Sequence, residues 1–233
     1  MQALRLDRII SNSGMFTRSE AAALIRGGRV VVNGLPVSSG SEKFDPGSSI
    51  IFVDGKPVKY STFHYIMLNK PCGFVSSTRD KRDKTVMELL DAGYRELGLF
   101  PAGRLDKDAE GLLILTNDGG LAHEITSPVK KIDKRYFVQL DGNVSNTDIE
   151  TFEKGVILGL EKCMPAKLEA APEGAIVTVC EGRYHQVKRM MASIGKPVKY
   201  IKRIAIGGLK LDESLAPGEY RELGEEIYEV FRA

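Results

Sequence analysis

Residues 100–120 have the sequence FPAGRLDKDAEGLLILTNDGG, in which a polar loop precedes an uninterrupted apolar run. The run from Leu112 to Leu115 is typical of a buried β-strand, and the Asn-Asp-Gly-Gly segment after it predicts that the strand ends there. The loop holds Arg104 and Asp106 two positions apart. A neighbouring positive charge favours the anionic form of a carboxylate, and such a carboxylate can act as a covalent nucleophile. From spacing alone, Asp106 could equally be a turn-capping residue.

The pair of acids Asp106 and Asp108 raises the question of a metal site. No histidine stands at ligand spacing from this pair, and we expect no metal. The sequence also lacks the glycine-rich motifs GxGxxG and GxxxxGK[ST], as well as GxSxG and HExxH, so no nucleotide cofactor is indicated. Two classes of function remain: catalysis without a cofactor or metal, and binding without catalysis.

Composition restricts the class of protein. The 233 residues suffice for one large or two small domains, and the 42% of apolar residues can supply a core. A net charge of +2 excludes a simple acidic or basic disordered tail. The three cysteines are far apart and form no CxxC pair, which argues against a zinc ribbon or a disulfide-stapled secreted protein and favours a reducing cytoplasm. We expect neither a signal peptide nor a membrane span.

Positive charge is concentrated locally. The segment 183–210 contains eight Lys or Arg residues and no acid, and a second short basic cluster covers 130–135. Basic patches on a nearly neutral protein suit a polyanion such as nucleic acid. The alternative is a solvated face whose balancing acids come from elsewhere in the fold.

Residues 1–60 are predicted to form a small domain of two helices followed by short strands. Thr17 and Glu20 have the spacing of a capping box, which places a helix start at Thr17. The Asn33-Gly34 dipeptide is a strong hairpin signal, and Asp54-Gly55 follows a second apolar run. Eight basic residues against five acids give this segment a positive charge. A linker is predicted over 57–63.

The remainder of the chain alternates short strands with short helices. Strands are predicted at 65–68, 112–115, 136–138, 175–179 and 198–206, and helices at 185–194 and after the capping-box pattern Thr85–Glu88. This pattern predicts a sheet domain of mixed α and β composition.

Two further segments carry candidate functional residues. In the segment 181–191, Lys188 could pair with a catalytic carboxylate, and Gln186 and Arg189 fall on one face of the predicted helix. In the segment 134–138, Tyr136 could be a base-stacking platform. Period-two spacing makes Tyr136 equally compatible with a half-buried strand residue. A histidine alone is more often a packing residue than a catalyst, so His185 is not nominated.

Together these motifs resemble those of the RsuA family of ribosomal RNA pseudouridine synthases. The resemblance rests on Gly103–Asp106 continuing through Gly111–Gly119, on Lys134-Arg135-Tyr136, and on 181–190. Residues 4–58 resemble the S4-type RNA-binding domain of that family, so the similarity covers nearly the whole chain. The sequence Tyr184-His185-Gln186 is more similar to the motif of the family's small-subunit branch than to those of its large-subunit branches.

The resemblance implies a role for each matching residue. Asp106 would be the catalytic aspartate, with Arg104 helping to open the helix and hold a flipped nucleotide. Tyr136 would stack on the target base, Lys188 would pair with the aspartate, and Ile201 would pack under the base. Further expected substrate-binding residues are Arg183, Gln186 and Arg189, and expected RNA-binding residues are Arg18, Arg26, Arg29 and Lys43. One departure is Ala109, where the family often has threonine.

The resemblance also implies an α+β fold, with an S4-type domain at 1–60 and a catalytic domain at 61–233 built on a mixed, mainly antiparallel sheet with flanking helices. The expected activity is isomerisation of a uridine in ribosomal RNA, most simply the small-subunit RNA, by a cytoplasmic monomer without a cofactor, metal or membrane partner. The alternatives are an enzyme for large-subunit RNA and a non-catalytic ribosome-assembly factor.

Overall fold

The computed structural model describes residues 2–224 and 227–232. The chain packs as two compact units. The first contains the residues up to His64 together with Met87–Leu99, and the second contains Tyr65–Val86 with the residues from Phe100 onward. The predicted division between residues 60 and 61 stays a prediction.

The first unit joins two small sheets to short helices. The elements of this unit are β1 (Leu4–Arg5), α1 (Leu6–Ser11), α2 (Arg18–Arg26), β2 (Val30–Val32), β3 (Leu35–Pro36), β4 (Lys43–Phe44), β5 (Ile51–Val53), β6 (Lys56–Val58) and α3 (Ala92–Arg95). One sheet has the order β3-β2-β5-β6, and the other pairs β1 with β4.

Local chemistry explains where these elements begin and end. Thr17 and Glu20 form the predicted capping box, in which each side chain accepts a hydrogen bond from the other residue's backbone NH. Asn33 and Gly34 both have positive φ, 52° and 82°, as a tight hairpin turn requires. Asp54 and Gly55 form a turn of the same kind, with φ of 51° and 74°.

Two predictions about the flanks of this unit need correction. The first two residues of the predicted linker belong to strand β6, where Pro57 lies opposite Phe52 and has no NH to donate to the sheet, whereas residues 59–63 lie outside helices and strands. The capping-box pattern at Thr85 is followed by a 3₁₀ turn over Val86–Leu89 and not by an α-helix. The segment after that turn packs closely on the N-terminal part, because a Cβ on Gly93 would lie 2.2 Å from the carbonyl oxygen of Gly14.

The second unit is a nine-stranded sheet with helices. The strands of the sheet are β7 (Tyr65–Lys70), β8 (Phe100–Pro101), β9 (Glu110–Thr116), β10 (Lys134–Gln139), β13 (Lys167–Ala171), β14 (Gly174–Val179), β15 (Tyr200–Ile206), β16 (Leu209–Lys210) and β17 (Tyr220–Leu223), and β11 (Ile157–Leu158) and β12 (Glu161–Lys162) form a separate hairpin. The strand order of the sheet is β13-β14-β10-β15-β9-β7-β17, with β16 paired to β15 and β8 paired to β9. The helices are α4 (Gly119–Thr126), α5 (Asn146–Lys154), α6 (Gln186–Ser193) and α7 (Ile227–Arg232).

The sheet confirms the predicted α+β class. Strands β9 and β15 pair in parallel, whereas the other neighbouring strands of this sheet pair antiparallel. Strand β7 is buried throughout, and β9 is buried after Glu110, which accounts for their nearly continuous apolar sequences. The predicted stop after β9 also starts helix α4, because the Asp118 carboxylate accepts hydrogen bonds from the NH groups of Gly120 and Leu121.

Within the part of the chain that the structure describes, no helix has the length and apolar character needed to cross a membrane.

Candidate active site

The polar loop between β8 and β9 holds Asp106 and is fastened from the side of strand β7. The Ser76 hydroxyl donates to the carbonyl of Leu105 and accepts from its NH, both at 3.0 Å. The NH of Gly73 donates to the carbonyl of Lys107 at 2.8 Å. The NH of Ala109 donates to the carbonyl of Asp106 at 3.1 Å, which closes the turn. The loop backbone is therefore held on both sides of the carboxylate.

Lys70, at the end of β7, is a second support for this loop and one that the sequence did not reveal. Its side chain is fully buried. The ammonium donates to the carbonyls of Ala109 at 2.8 Å, Pro71 at 3.0 Å and Lys107 at 3.4 Å. Burial lowers the pKa of Lys70 to about 8. The loop is thus fixed without the hydroxyl that threonine would bring in place of Ala109.

Two basic side chains lie within 4 Å of the carboxylate of Asp106, whose side chain is one-third exposed. The Lys188 Nζ lies 3.9 Å from Oδ2, and the His185 Nε2 lies 3.7 Å from Oδ1. Lys188 makes its closer contact with Asp108, at 2.5 Å from Oδ1. That hydrogen bond, together with the positive charge of Lys188, holds the pKa of Asp108 below its usual value. Lys188 therefore lies between two carboxylates.

The segment that begins helix α6 brings Lys188 to this position. Its N-cap residue, His185, has left-handed backbone angles (φ 49°, ψ 34°), which are uncommon for a residue with a side chain. Gln186 is buried, and its amide accepts from the NH of Arg183 at 2.9 Å and donates to Glu181 at 2.8 Å. The Arg183 guanidinium bonds to Glu181 and Glu161. Arg183 and Gln186, two of the predicted substrate-binding residues, thus hold the backbone of this loop in place.

Strands β10 and β15 supply the other side of the site. Tyr136 is half-buried and follows a β-bulge between Arg135 and Tyr136, a feature that often re-aims side chains near active sites. Ile201 is almost completely buried. Arg203, also buried, donates to the carbonyls of Leu112 at 2.8 Å and Arg104 at 3.4 Å. Its Nη2 has no hydrogen-bond partner among the described residues.

These side chains meet in one cleft of about 640 Å³. The predicted residues that line it are Arg104, Asp106, Tyr136, Arg183, Gln186, Lys188 and Ile201. Tyr184, His185 and Arg203 line it as well. Arg189 is exposed on α6, with its Nη1 3.5 Å from the carbonyl oxygen of Tyr184. A carboxylate beside an ammonium, in a cleft with an aromatic side chain and an aliphatic wall, can attack an electrophilic carbon while a planar ring is held nearby.

The segment 183–210, called here the acid-free segment, is partly neutralised in the folded protein by acids from other segments. Besides Arg183 and Lys188, two of its cations face acids from other segments. Lys199 lies 2.5 Å from Asp141, and Lys196 lies 3.7 Å from Asp148. The alternative of balancing acids from elsewhere in the fold is therefore correct for part of this segment.

The predicted RNA-binding cations all lie in the first unit and are exposed. Arg29 forms a two-point ion pair with Asp54, at 2.7 and 2.5 Å. Arg18 lies 3.6 Å from Asp7. Arg26 and Lys43 make no ion pair within residues 2–224 and 227–232. No group of three or more His, Cys, Asp or Glu side chains in those same ranges could hold a metal ion.

Comparison with known proteins identifies the class. Residues 64–193 match the family model described as RNA pseudouridylate synthase, and residues 4–50 match the S4 domain. The chain belongs to the RNA pseudouridylate synthase family and carries an S4 domain. It is an RNA pseudouridine synthase, and the resemblance to the RsuA family is confirmed.

Individual relatives match over nearly their full length. The chain is 45% identical to a Bacillus subtilis protein described as an uncharacterized RNA pseudouridine synthase, covering 96% of each chain. It is 44% identical to the Escherichia coli ribosomal small subunit pseudouridine synthase A, covering 96% of this chain and 97% of the relative. A crystal structure of a pseudouridylate synthase superposes with a TM-score of 0.68 at 39% identity, covering 98% of this chain and 99% of that one.

Proposed function

We propose that this protein isomerises a specific uridine of small-subunit ribosomal RNA to pseudouridine, with Asp106 as the catalytic residue. The observation that carries the proposal is that the Asp106 carboxylate lies beside Lys188 in a cleft that Tyr136 also lines. The small-subunit target is supported by the 44% identity to a ribosomal small subunit pseudouridine synthase. A ribosomal RNA substrate is also consistent with the cytoplasmic location expected from the cysteines.

The reaction needs no redox step. The bond between N1 of uracil and C1′ of the ribose breaks, the base rotates, and a bond between C5 and C1′ forms; C5 loses its proton to solvent and N1 takes up a proton, so the product is an isomer of the substrate. Because the reacting bond is inaccessible in a stacked helix, the nucleotide must first be flipped out of the RNA. Asp106 either attacks C1′ or removes a sugar proton to give a glycal-like intermediate, and both routes use its carboxylate.

The neighbouring residues would serve this step from fixed positions. Tyr136 would stack on the flipped base, with Ile201 packing beneath it. Lys188 would hold a positive charge beside the Asp106 carboxylate, 3.9 Å away. Arg104, exposed at the cleft, would hold the opened RNA, while the basic residues of the S4 domain would add phosphate contacts.

The experiment uses ribosomal RNA transcripts labelled with tritium at C5 of uridine, since isomerisation releases that tritium to water. Purified protein should release tritium from the small-subunit transcript and not from the large-subunit transcript. Asp106→Asn should abolish release while binding RNA with near-normal affinity. Activity of this variant within tenfold of wild type, about 1.4 kcal/mol of barrier, would contradict the role of Asp106. Release from the large-subunit transcript alone would transfer the proposal to that RNA.

A further inference from the structure

Tyr184 and His185 form a stacked aromatic pair at the catalytic cleft. Their ring centroids are 3.8 Å apart and their planes differ by 18°. Both residues line the cleft, and Tyr184 is 76% exposed. Because a stack this close covers one face of each ring, the exposed surface of Tyr184 includes its outer face. A large aromatic face open to solvent beside an RNA-modifying site is suited to bind a nucleobase.

The pair is held in place by its backbone. His185 has left-handed angles, a sparsely populated conformation that persists only where the surroundings impose it and that concentrates at functional sites. Directly after the pair, helix α6 begins at Gln186. The buried side-chain amide of Gln186 reaches back across the pair, accepting from the NH of Arg183 and donating to Glu181. The aromatic platform is therefore preorganised, which lowers the entropic cost of binding a ligand.

The platform lies close to the chemistry. His185 Nε2 is 3.7 Å from a carboxylate oxygen of Asp106, and Tyr184 stacks on His185 at 3.8 Å. Successive stacked bases of one strand are separated by about 3.4 Å, so a base on the outer face of Tyr184 would lie two ring spacings, about 7 Å, from the His185 ring that approaches Asp106. The exposed side chain of Arg189 extends to the backbone of Tyr184 and brings a positive charge to the same place.

We propose that the outer face of Tyr184 binds an unpaired RNA base directly next to the target uridine. The inference rests on the proposed function only in that RNA enters this cleft. Stacking tolerates every base because each has a π-face. The Tyr184 face would therefore distinguish single-stranded from base-paired RNA, and it favours a target uridine whose neighbouring base is unpaired over one inside a regular duplex.

The test measures stacking directly, without turnover. Single-stranded oligoribonucleotides carry the fluorescent base 2-aminopurine on the 5′ or the 3′ side of a uridine, and binding is measured in the Asp106→Asn background. We expect quenching for one of the two probes. Tyr184→Leu should abolish that quenching and weaken binding about five- to 150-fold, the range typical for loss of one base–aromatic stack. Tyr184→Phe, which keeps the ring, should retain both.

Phe63→Leu is the matched control, because Phe63 is also an exposed aromatic residue but does not line the cleft. It should behave as the parent, and annealing the probe to its complement should remove the difference between Tyr184→Leu and the parent. Equal affinity and equal quenching in Tyr184→Leu and the parent would overturn the inference, as would loss of quenching in Tyr184→Phe. If wild type releases no tritium while Tyr184→Leu loses quenching, the proposed function fails and the platform stands.

Discussion

The buried ammonium of Lys70, which supports the loop of Asp106, predicts that the free energy of unfolding depends on pH. In the folded protein the pKa of Lys70 is about 8, against its usual value of 10.5. Between these values the unfolded chain holds a proton that the folded protein has released. The free energy of unfolding therefore rises with pH across this interval, and the penalty for burying the charge is fully present below about pH 8. A difference of this size corresponds to about 3 kcal/mol.

The perturbation that isolates this effect is Lys70→Met, which keeps the apolar stem and removes the ionisable group. Urea unfolding of both proteins at intervals from pH 7 to pH 11 gives two curves of stability against pH. Wild type should gain about 3 kcal/mol relative to Lys70→Met across the interval. Titrating groups remote from Lys70 cancel in the difference; Cys72 interacts electrostatically with Lys70, so both proteins carry Cys72→Ala. Lys107→Met is the control, because the Lys107 ammonium is exposed and paired with Asp83, so its curve should run parallel to wild type.

Parallel curves for wild type and Lys70→Met would refute the assignment of a charged, desolvated ammonium to this position. The same variant has a second expected effect, on catalysis. It leaves the carbonyls of Lys107 and Ala109 without their buried donor, and a displaced catalytic group can cost about 100-fold in rate. Single-turnover tritium release at saturating RNA should therefore fall in Lys70→Met and not in Lys107→Met.

Two further predictions concern the surroundings of the catalytic loop. Lys188→Met should slow single-turnover release at saturating RNA by more than tenfold, with Lys188→Arg retaining much more activity, because the role requires a positive charge near Asp106; a wild-type rate in Lys188→Met would limit Lys188 to phosphate binding. Gly111→Ala should lower stability by more than about 1 kcal/mol, because Gly111 has φ of 103° and a Cβ would lie 2.2 Å from the carbonyl oxygen of Arg203. Thermal unfolding checks this prediction, and Gly119→Ala, where a Cβ meets nothing within 4 Å, should be no less stable than wild type.

Features that depend on near neighbours in the chain could be predicted from the sequence. The Thr17 cap and the Asn33-Gly34 turn form because side chains and backbone a few residues apart satisfy one another. Strand β9 follows from its own apolar run. Asp106 could be singled out as a candidate carboxylate, but spacing alone did not separate it from a turn cap. The resemblance of several motifs together favoured the catalytic role, which stays a prediction.

Features that depend on distant segments could not be predicted in this way. Lys70 sits at the end of a strand, and nothing nearby in sequence signals that its ammonium binds carbonyls 37 and 39 residues away. The same holds for Asp141 and Asp148, which meet cations of the acid-free segment only after folding. His185 carried no signal of its own, because its approach to Asp106 is set by the backbone turn that starts α6.

The first unit is built from two segments that are separated in the sequence, and this affects how the newly made chain folds. A ribosome completes β7, the first strand of the second unit, before it has made Met87–Leu99, the last segment of the first unit. The N-terminal unit thus cannot finish folding as a separate module while the rest is still inside the ribosome. Its final contacts, such as that between Gly14 and Gly93, close a loop of 79 residues, and loops of that length slow folding. Grafting this RNA-binding unit onto another protein as residues 1–60 would leave part of its packing behind.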